Sequence, residues 1–154
     1  MVASGPILES IFHIPDLLKF LEGLIKRSRG TKRALLIELR GNIQLVDLYI
    51  EGDPPIDKII THLETRHMKS ALESGFNFNA LKQGGLRQST IGDVPQFAAY
   101  LGWSTEDLFS SIYLKIIELQ RIVQIDTNNP SYRKSVRLHN IGKLMLLLLK
   151  HIWS

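Results

Sequence analysis

"SYRKSVRLHNIGKLMLLLLKHIWS", residues 131–154, is the stretch whose reading decides the fold. At 100° per residue Leu138, Ile141, Met145, Leu146, Leu148, Leu149, Ile152 and Trp153 cover a broad apolar arc, with Arg133, Arg137, Asn140, Lys143 and Lys150 opposite. A helix with so wide an arc is buried against more than one neighbour. Leu144 and Leu147 fall on the otherwise basic side and widen the burial further. The unbroken apolar run is only "LMLLLL", between two lysines, whereas a membrane span needs about 20 apolar residues. Two readings remain for this segment: the central core helix of a bundle, or a helix whose second apolar side, with Leu144 and Leu147, meets another protomer.

Upstream segments repeat the helical period. In "PDLLKFLEGLIKRS" Pro15 suits a first helical position, and Leu17, Leu18, Leu21, Leu24 and Ile25 form a stripe. In "TKRALLIELRGNIQLVDLYIEG" Leu35, Leu36, Leu39, Ile43, Val46 and Ile50 share one face. Ile37 and Leu48 line much of the opposite side, so this helix is expected to pack on two sides, with Gly41 marking a close helix contact. After "EGDPP", Ile56, Ile59, Ile60, Leu63, Met68 and Leu72 predict a third helix ending at Gly75.

Residues 76–103 lose the period, with Gly84, Gly85, Gly92, Pro95 and Gly102 as punctuation and room for a short helix near Gln96 to Leu101. In "GFNFNALKQGG" two phenylalanines alternate with asparagines, which suits either a loop tucking two rings into the core or a recognition loop. Trp103 is expected to plug one end of the core. Ser104 and Asp107 have the spacing of a capping box ahead of a helix carrying Leu108, Ile112, Ile116, Leu119 and Val123, and "DTNNP" is the turn before the last helix. The expected architecture is one all-α domain, a bundle of four long helices with a short extra one, and residues 1–14 as a flexible or short-helical arm.

Composition bounds the function. A chain of 154 residues with 44% hydrophobic and 22% charged residues suits one folded unit. The absence of cysteine excludes disulfides, thiolate metal sites and cysteine nucleophiles. The opening "MVASGPILESIF" lacks the pattern of a secretory signal, so a cytoplasmic location is expected. The net charge of +4 is unevenly spread: residues 1–33 carry six basic and three acidic groups, residues 131–154 five basic and no acidic ones. If the two ends meet in space they form an anion-binding face, and if not they complement the acidic middle. The anion-binding set would be Lys26, Arg27, Arg29, Lys32, Arg33, Arg133, Lys134 and Arg137.

Catalytic patterns are sparse. His62 and His67 stand five apart, where a helical metal pair wants three or four, so no metal site is expected. "KQGG" lacks the lysine-serine ending of a phosphate loop, no G-x-S-x-G occurs, and no cofactor is expected. Arg133 and His139 in "RKSVRLH" resemble the arginine, four to six residues, histidine pattern of the HEPN ribonucleases. That resemblance covers seven residues and the helical class. It implies a cleft between two protomers in which histidine assists proton transfer at a ribose hydroxyl and arginine stabilises developing phosphorane charge. The chain departs from it at Lys134, where the family often has a polar residue such as asparagine.

The basic stretch 26–33 suits phosphate contacts, or, with the amphipathic segment before it, a membrane surface through residues 6–33. The same lysines and arginines also favour the negative end of a helix dipole. Interleaved aromatic residues are missing from that stretch. The function expected from the excess apolar surface is a non-enzymatic association module, a homo-oligomer or a binder of a helical partner through Ile37, Leu48, Leu144 and Leu147. An RNA-directed protein and a membrane-surface binder are the alternatives.

Overall fold

The computed structural model describes residues 13–52, 54–125 and 129–154. Helices and short 3-10 turns, with no strand, account for the regular structure among these residues. In chain order they are α1 (Ile14–Arg27), α2 (Gly30–Gly52), α3 (Ile56–His62), α4 (Arg66–Ser74), α5 (Gln88–Ile91), α6 (Thr105–Ile125) and α7 (Lys134–Trp153). The expected arm lies outside the described residues apart from positions 13 and 14, as do residues 6–12 of the membrane reading and part of the turn after α6. No helix among the described residues is long and apolar enough to cross a membrane.

The stripes fold as their spacing dictates. α1 carries Pro15 in its first turn and buries Leu17, Leu21, Leu24 and Ile25. α6 starts with the reciprocal bonds of a capping box: the Asp107 amide donates to Ser104 Oγ, and the Ser104 amide to Asp107 Oδ2, each at 3.1 Å. α7 packs on α1, α2, α3, α5 and α6, which explains its wide apolar arc. Leu144 and Leu147 are only 2% and 0% exposed, so they belong to the chain's own core and not to an interface. The second apolar side of α7 is used by internal neighbours, an outcome that one helix viewed alone cannot show.

The third helix differs from expectation. It is two helices, α3 and α4, separated by extended backbone at Leu63. The apolar stripe slips there, from Leu63 to Met68, five residues where a continuous helix wants three or four. Side chains from elsewhere satisfy the opened backbone. Glu38, 4% exposed, accepts from the amides of His67 and Met68 at 2.7 and 2.9 Å, serving as the cap for α4 that Thr65 does not provide. One turn along α2, the Asn42 amide donates to the Glu64 carbonyl and accepts from the Glu64 amide, both at 2.8 Å. Gln120 Nε2 of α6 donates to the Ile60 and Leu63 carbonyls at 3.1 and 2.9 Å.

Glycine contacts are also relocated. A Cβ on Gly41 would meet nothing within 4 Å among the described residues, so Gly41 is not a close contact between the described helices. Gly142 is: its Cβ would stand 2.8 Å from Val46 Cγ1, so α2 and α7 approach closely only because that side chain is missing.

The connection from 76 to 103 is built into the core, burying Phe78, Leu81, Leu86, Ile91 and Phe97. Its ends are pinned by the Leu86 amide to the Trp103 carbonyl at 2.8 Å and the Gly102 amide to the Leu86 carbonyl at 2.9 Å. Any Cβ at Gly85 would collide with the Gly102 carbonyl. The short helix expected near 96–101 is the 3-10 turn Pro95–Tyr100. Phe76 and Phe78 meet edge to face at 5.0 Å, and Trp103 packs on the core against Tyr100.

Two substitutions separate these roles in urea denaturation. Gly142→Ala is expected to cost about 1–3 kcal/mol through overpacking, with part recovered in the double variant with Val46→Ala. In the single chain, at concentrations too low for self-association, Gly41→Ala is expected to stabilise by up to ~1 kcal/mol, since the helix gains propensity and its Cβ meets no described atom of the chain. Glu38→Ala should cost about 1–3 kcal/mol, because the amides of His67 and Met68 lose their acceptor.

Candidate functional site

Helix direction decides where the basic groups go. Val46 of α2 touches Gly142 of α7, and Tyr49 reaches Ser135 at 3.1 Å, so these helices run antiparallel. Lys26 to Arg33 span the end of α1 and the first turn of α2, and Arg133 to Arg137 lie beside the other end of α2, with most of a 23-residue helix between them. At 1.5 Å per residue that separation is roughly 30 Å. The terminal segments touch where Phe20 stacks on Trp153 at 5.1 Å, but the clusters 26–33 and 133–137 stand apart, so no single anion-binding face joins those two clusters.

Several of the predicted anion-binding residues are committed inside the fold. Lys134 pairs with Asp57 at 2.7 Å, and Arg137 pairs with Glu118 while donating from Nε to the Tyr132 carbonyl at 2.7 Å. Arg29 donates to the carbonyls of Lys26 and Ser28 at 3.1 and 2.9 Å, closing the end of α1. Here the basic groups serve the acidic middle and the helix dipole. Lys26, Arg27, Arg33 and Arg133 are exposed, Lys32 is half-buried, and none forms an ion pair among the described residues.

Arg133 and His139 end up in different environments. Arg133 stands exposed at the N-cap of α7 with φ 51° and ψ 49°, a left-handed conformation that costs a non-glycine residue roughly 1–2 kcal/mol. His139 is 5% exposed, its ring edge to face with Tyr49 at 5.8 Å. Its Nδ1 lies 2.7 Å from the Ser135 carbonyl, which can only accept, so Nδ1 carries the proton. Nε2 is buried without a hydrogen-bond partner among the described residues. One protomer therefore offers an exposed guanidinium and a covered imidazole, not a paired acid-base set.

His151 was not singled out by sequence, and it sits at the junction of three segments. Thr105 donates to the Lys82 carbonyl at 2.8 Å, which leaves its oxygen to accept from His151 Nε2 at 3.1 Å. Burial, then the nearby Lys82 and Arg87, push the His151 pKa down from 6.5 to about 4. The imidazole is neutral at pH 7. A cavity of about 40 Å³ beside Gly142, lined largely by apolar side chains of α1, α2 and α7, is far below the ~300 Å³ of an ordinary ligand site.

Two larger, adjoining hollows lie between α7 and the 91–100 segment. One, of about 550 Å³, is lined by Lys143, Lys150, Asp93 and Gln96 together with apolar groups. The other, about 250 Å³, shares Lys143 and Gln96 and adds Lys115, Asn140 and Tyr100. Lys143 and Lys150 are seven apart, so they share a helix face; that spacing was legible, but the loop facing them was not. His62 bonds its own helix at the Lys58 carbonyl, 2.7 Å away, and no cluster of three metal-ligating side chains occurs among the described residues.

The His151 arrangement has a signed pH dependence. Because the folded-state pKa lies below the unfolded value, the unfolded chain binds the proton more tightly, and stability is lost as pH falls from about 6.5 towards 4. The loss should approach 3 kcal/mol, at about 1.4 kcal/mol per pH unit. Denaturant midpoints across that range should fall in the natural chain and flatten in His151→Gln.

Comparison with known proteins gives no relative: no protein-family model, no curated protein and no solved structure matches the chain.

Proposed function

We propose that this chain is a non-enzymatic association module, a single-domain helical bundle that pairs with a second copy of itself through the outer face of α2. The observation that carries the reading is a stripe at helical spacing: Ile37 and Leu48, 40% and 54% exposed, with Gly41 and the exposed Gln44 between them. Among the described residues nothing stands within 4 Å of the Gly41 Cβ position, which leaves space for a second helix there.

The order of residues along the stripe favours a two-fold antiparallel pair. Laid against its copy about a point between Asn42 and Ile43, α2 sets Ile37 opposite Leu48 and Gly41 opposite Gln44. The same operation brings Arg33 of each copy towards Glu51 of the other, both exposed and at the edge of the stripe. Apolar contact in the middle supplies the affinity, and the flanking charges set orientation. Leu144 and Leu147 take no part, being in the core.

Light scattering after size-exclusion chromatography, at low and high salt, should give a dimer that survives high salt. Leu48→Glu, or Ile37→Glu, should yield a folded monomer, since both positions are exposed. Arg33→Glu should weaken the dimer several-fold and Glu51→Arg in the same chain should restore it, within the ~0.2–1 kcal/mol of an exposed pair. A natural chain that remains monomeric at every concentration sinks the reading.

A further inference from the structure

We propose that the groove between α7 and residues 91–100 is a binding site for a single-stranded nucleic acid. Two hollows of about 550 and 250 Å³ share Lys143 and Gln96 and so adjoin along this groove. Its cations are Lys115 from α6 and Lys143 and Lys150 from α7, none in an ion pair among the described residues. Asp93 is the acidic group lining it, at the Lys150 end, which leaves the groove cationic.

The spacing and chemistry point to phosphates joined by a flexible backbone. Lys143 and Lys150 stand roughly 10 Å apart along one helix face, at 1.5 Å per residue. Lysine acts on phosphate as a mobile point charge, whereas recognition of carboxylates favours the planar fork of arginine, and no arginine lines the groove among the described residues. The same lining carries a ring and two amides: Tyr100, half-buried, and the exposed Gln96 and Asn140. An aromatic face beside a basic track is how sequence-tolerant single-strand binders hold an unstacked base, with amides able to meet base edges. A duplex keeps its bases stacked and offers no face to Tyr100.

This site differs from the basic stretch 26–33 and from the α2 stripe, so its test is independent of self-association. A labelled short oligouridylate, followed by fluorescence anisotropy over a salt series, should bind the natural chain with salt-dependent affinity. Lys143→Gln with Lys150→Gln should weaken binding about tenfold or more and reduce the slope of log affinity on log salt by roughly 1.4, two contacts at about 0.7 each. Tyr100→Ala should weaken it roughly tenfold while Tyr100→Phe, which keeps the ring against Trp103, should not. A combined Lys26, Arg27, Lys32 and Arg33 to Gln variant should bind normally.

Three results overturn the proposal: no binding at low salt, loss of binding in the 26–33 variant with the lysine pair variant unaffected, or equal displacement by a polyglutamate peptide. The last would make the groove an acidic-peptide site. Circular dichroism of each variant distinguishes a lost contact from a lost fold.

Discussion

Two polar side chains one turn apart on α2 hold the middle of the chain in place. Glu38 and Asn42 are 4% and 1% exposed, and both spend their hydrogen bonds on the backbone between α3 and α4. Had Ile56 to Ser74 continued as one straight helix, Leu63 and Met68 could not both face the interior, because five residues turn the chain about 140° past a full revolution. The break lets both be buried, at 4% and 2% exposure, and opens backbone groups, the buried Met68 amide among them. Leaving each of those groups unpaired would cost roughly 1–3 kcal/mol. Glu38, Asn42 and Gln120 remove that cost, and α2, α4 and α6 are thereby fixed against one another.

The close approach of α2 and α7 follows on the same helix. Gly142 gives Val46 its place, and the Tyr49 hydroxyl reaches Ser135 one layer further on. With its inner sides committed to α1, α7 and the α3–α4 break, α2 has one face left, and that face carries Ile37, Gly41 and Leu48. The exposed apolar residues at the centre of the association reading are thus what remains after the internal contacts of α2 are satisfied.

Charge is organised by the same geometry. The acidic middle answers the basic C-terminal segment through Asp57 with Lys134 and Glu118 with Arg137, and Glu22 with Arg40 ties α1 to α2 at 2.9 Å. Pairs this close to solvent add little stability individually, about 0–1 kcal/mol each. Their effect is on what is left over: Lys115, Lys143 and Lys150 remain unpaired among the described residues and line one groove.

The sequence by itself determined that the chain is helical, where α1, α2, α6 and α7 run, and how α6 is capped, because stripes and caps are local and repeat within a few residues. It also contained, unread, the five-residue slip at Leu63 that marks the break. The tertiary structure alone decided the matters that depend on pairs far apart in the chain. Leu144 and Leu147 face neighbours inside the molecule, Gly142 and not Gly41 is the crossing point, and the basic clusters 26–33 and 133–137 stand apart because α2 and α7 are antiparallel. His139 is covered by Tyr49, and the lysines of α7 face a loop some fifty residues earlier in the chain. Periodicity fixes which side of a helix is apolar, but which neighbour covers it is set by packing between segments that no local pattern connects.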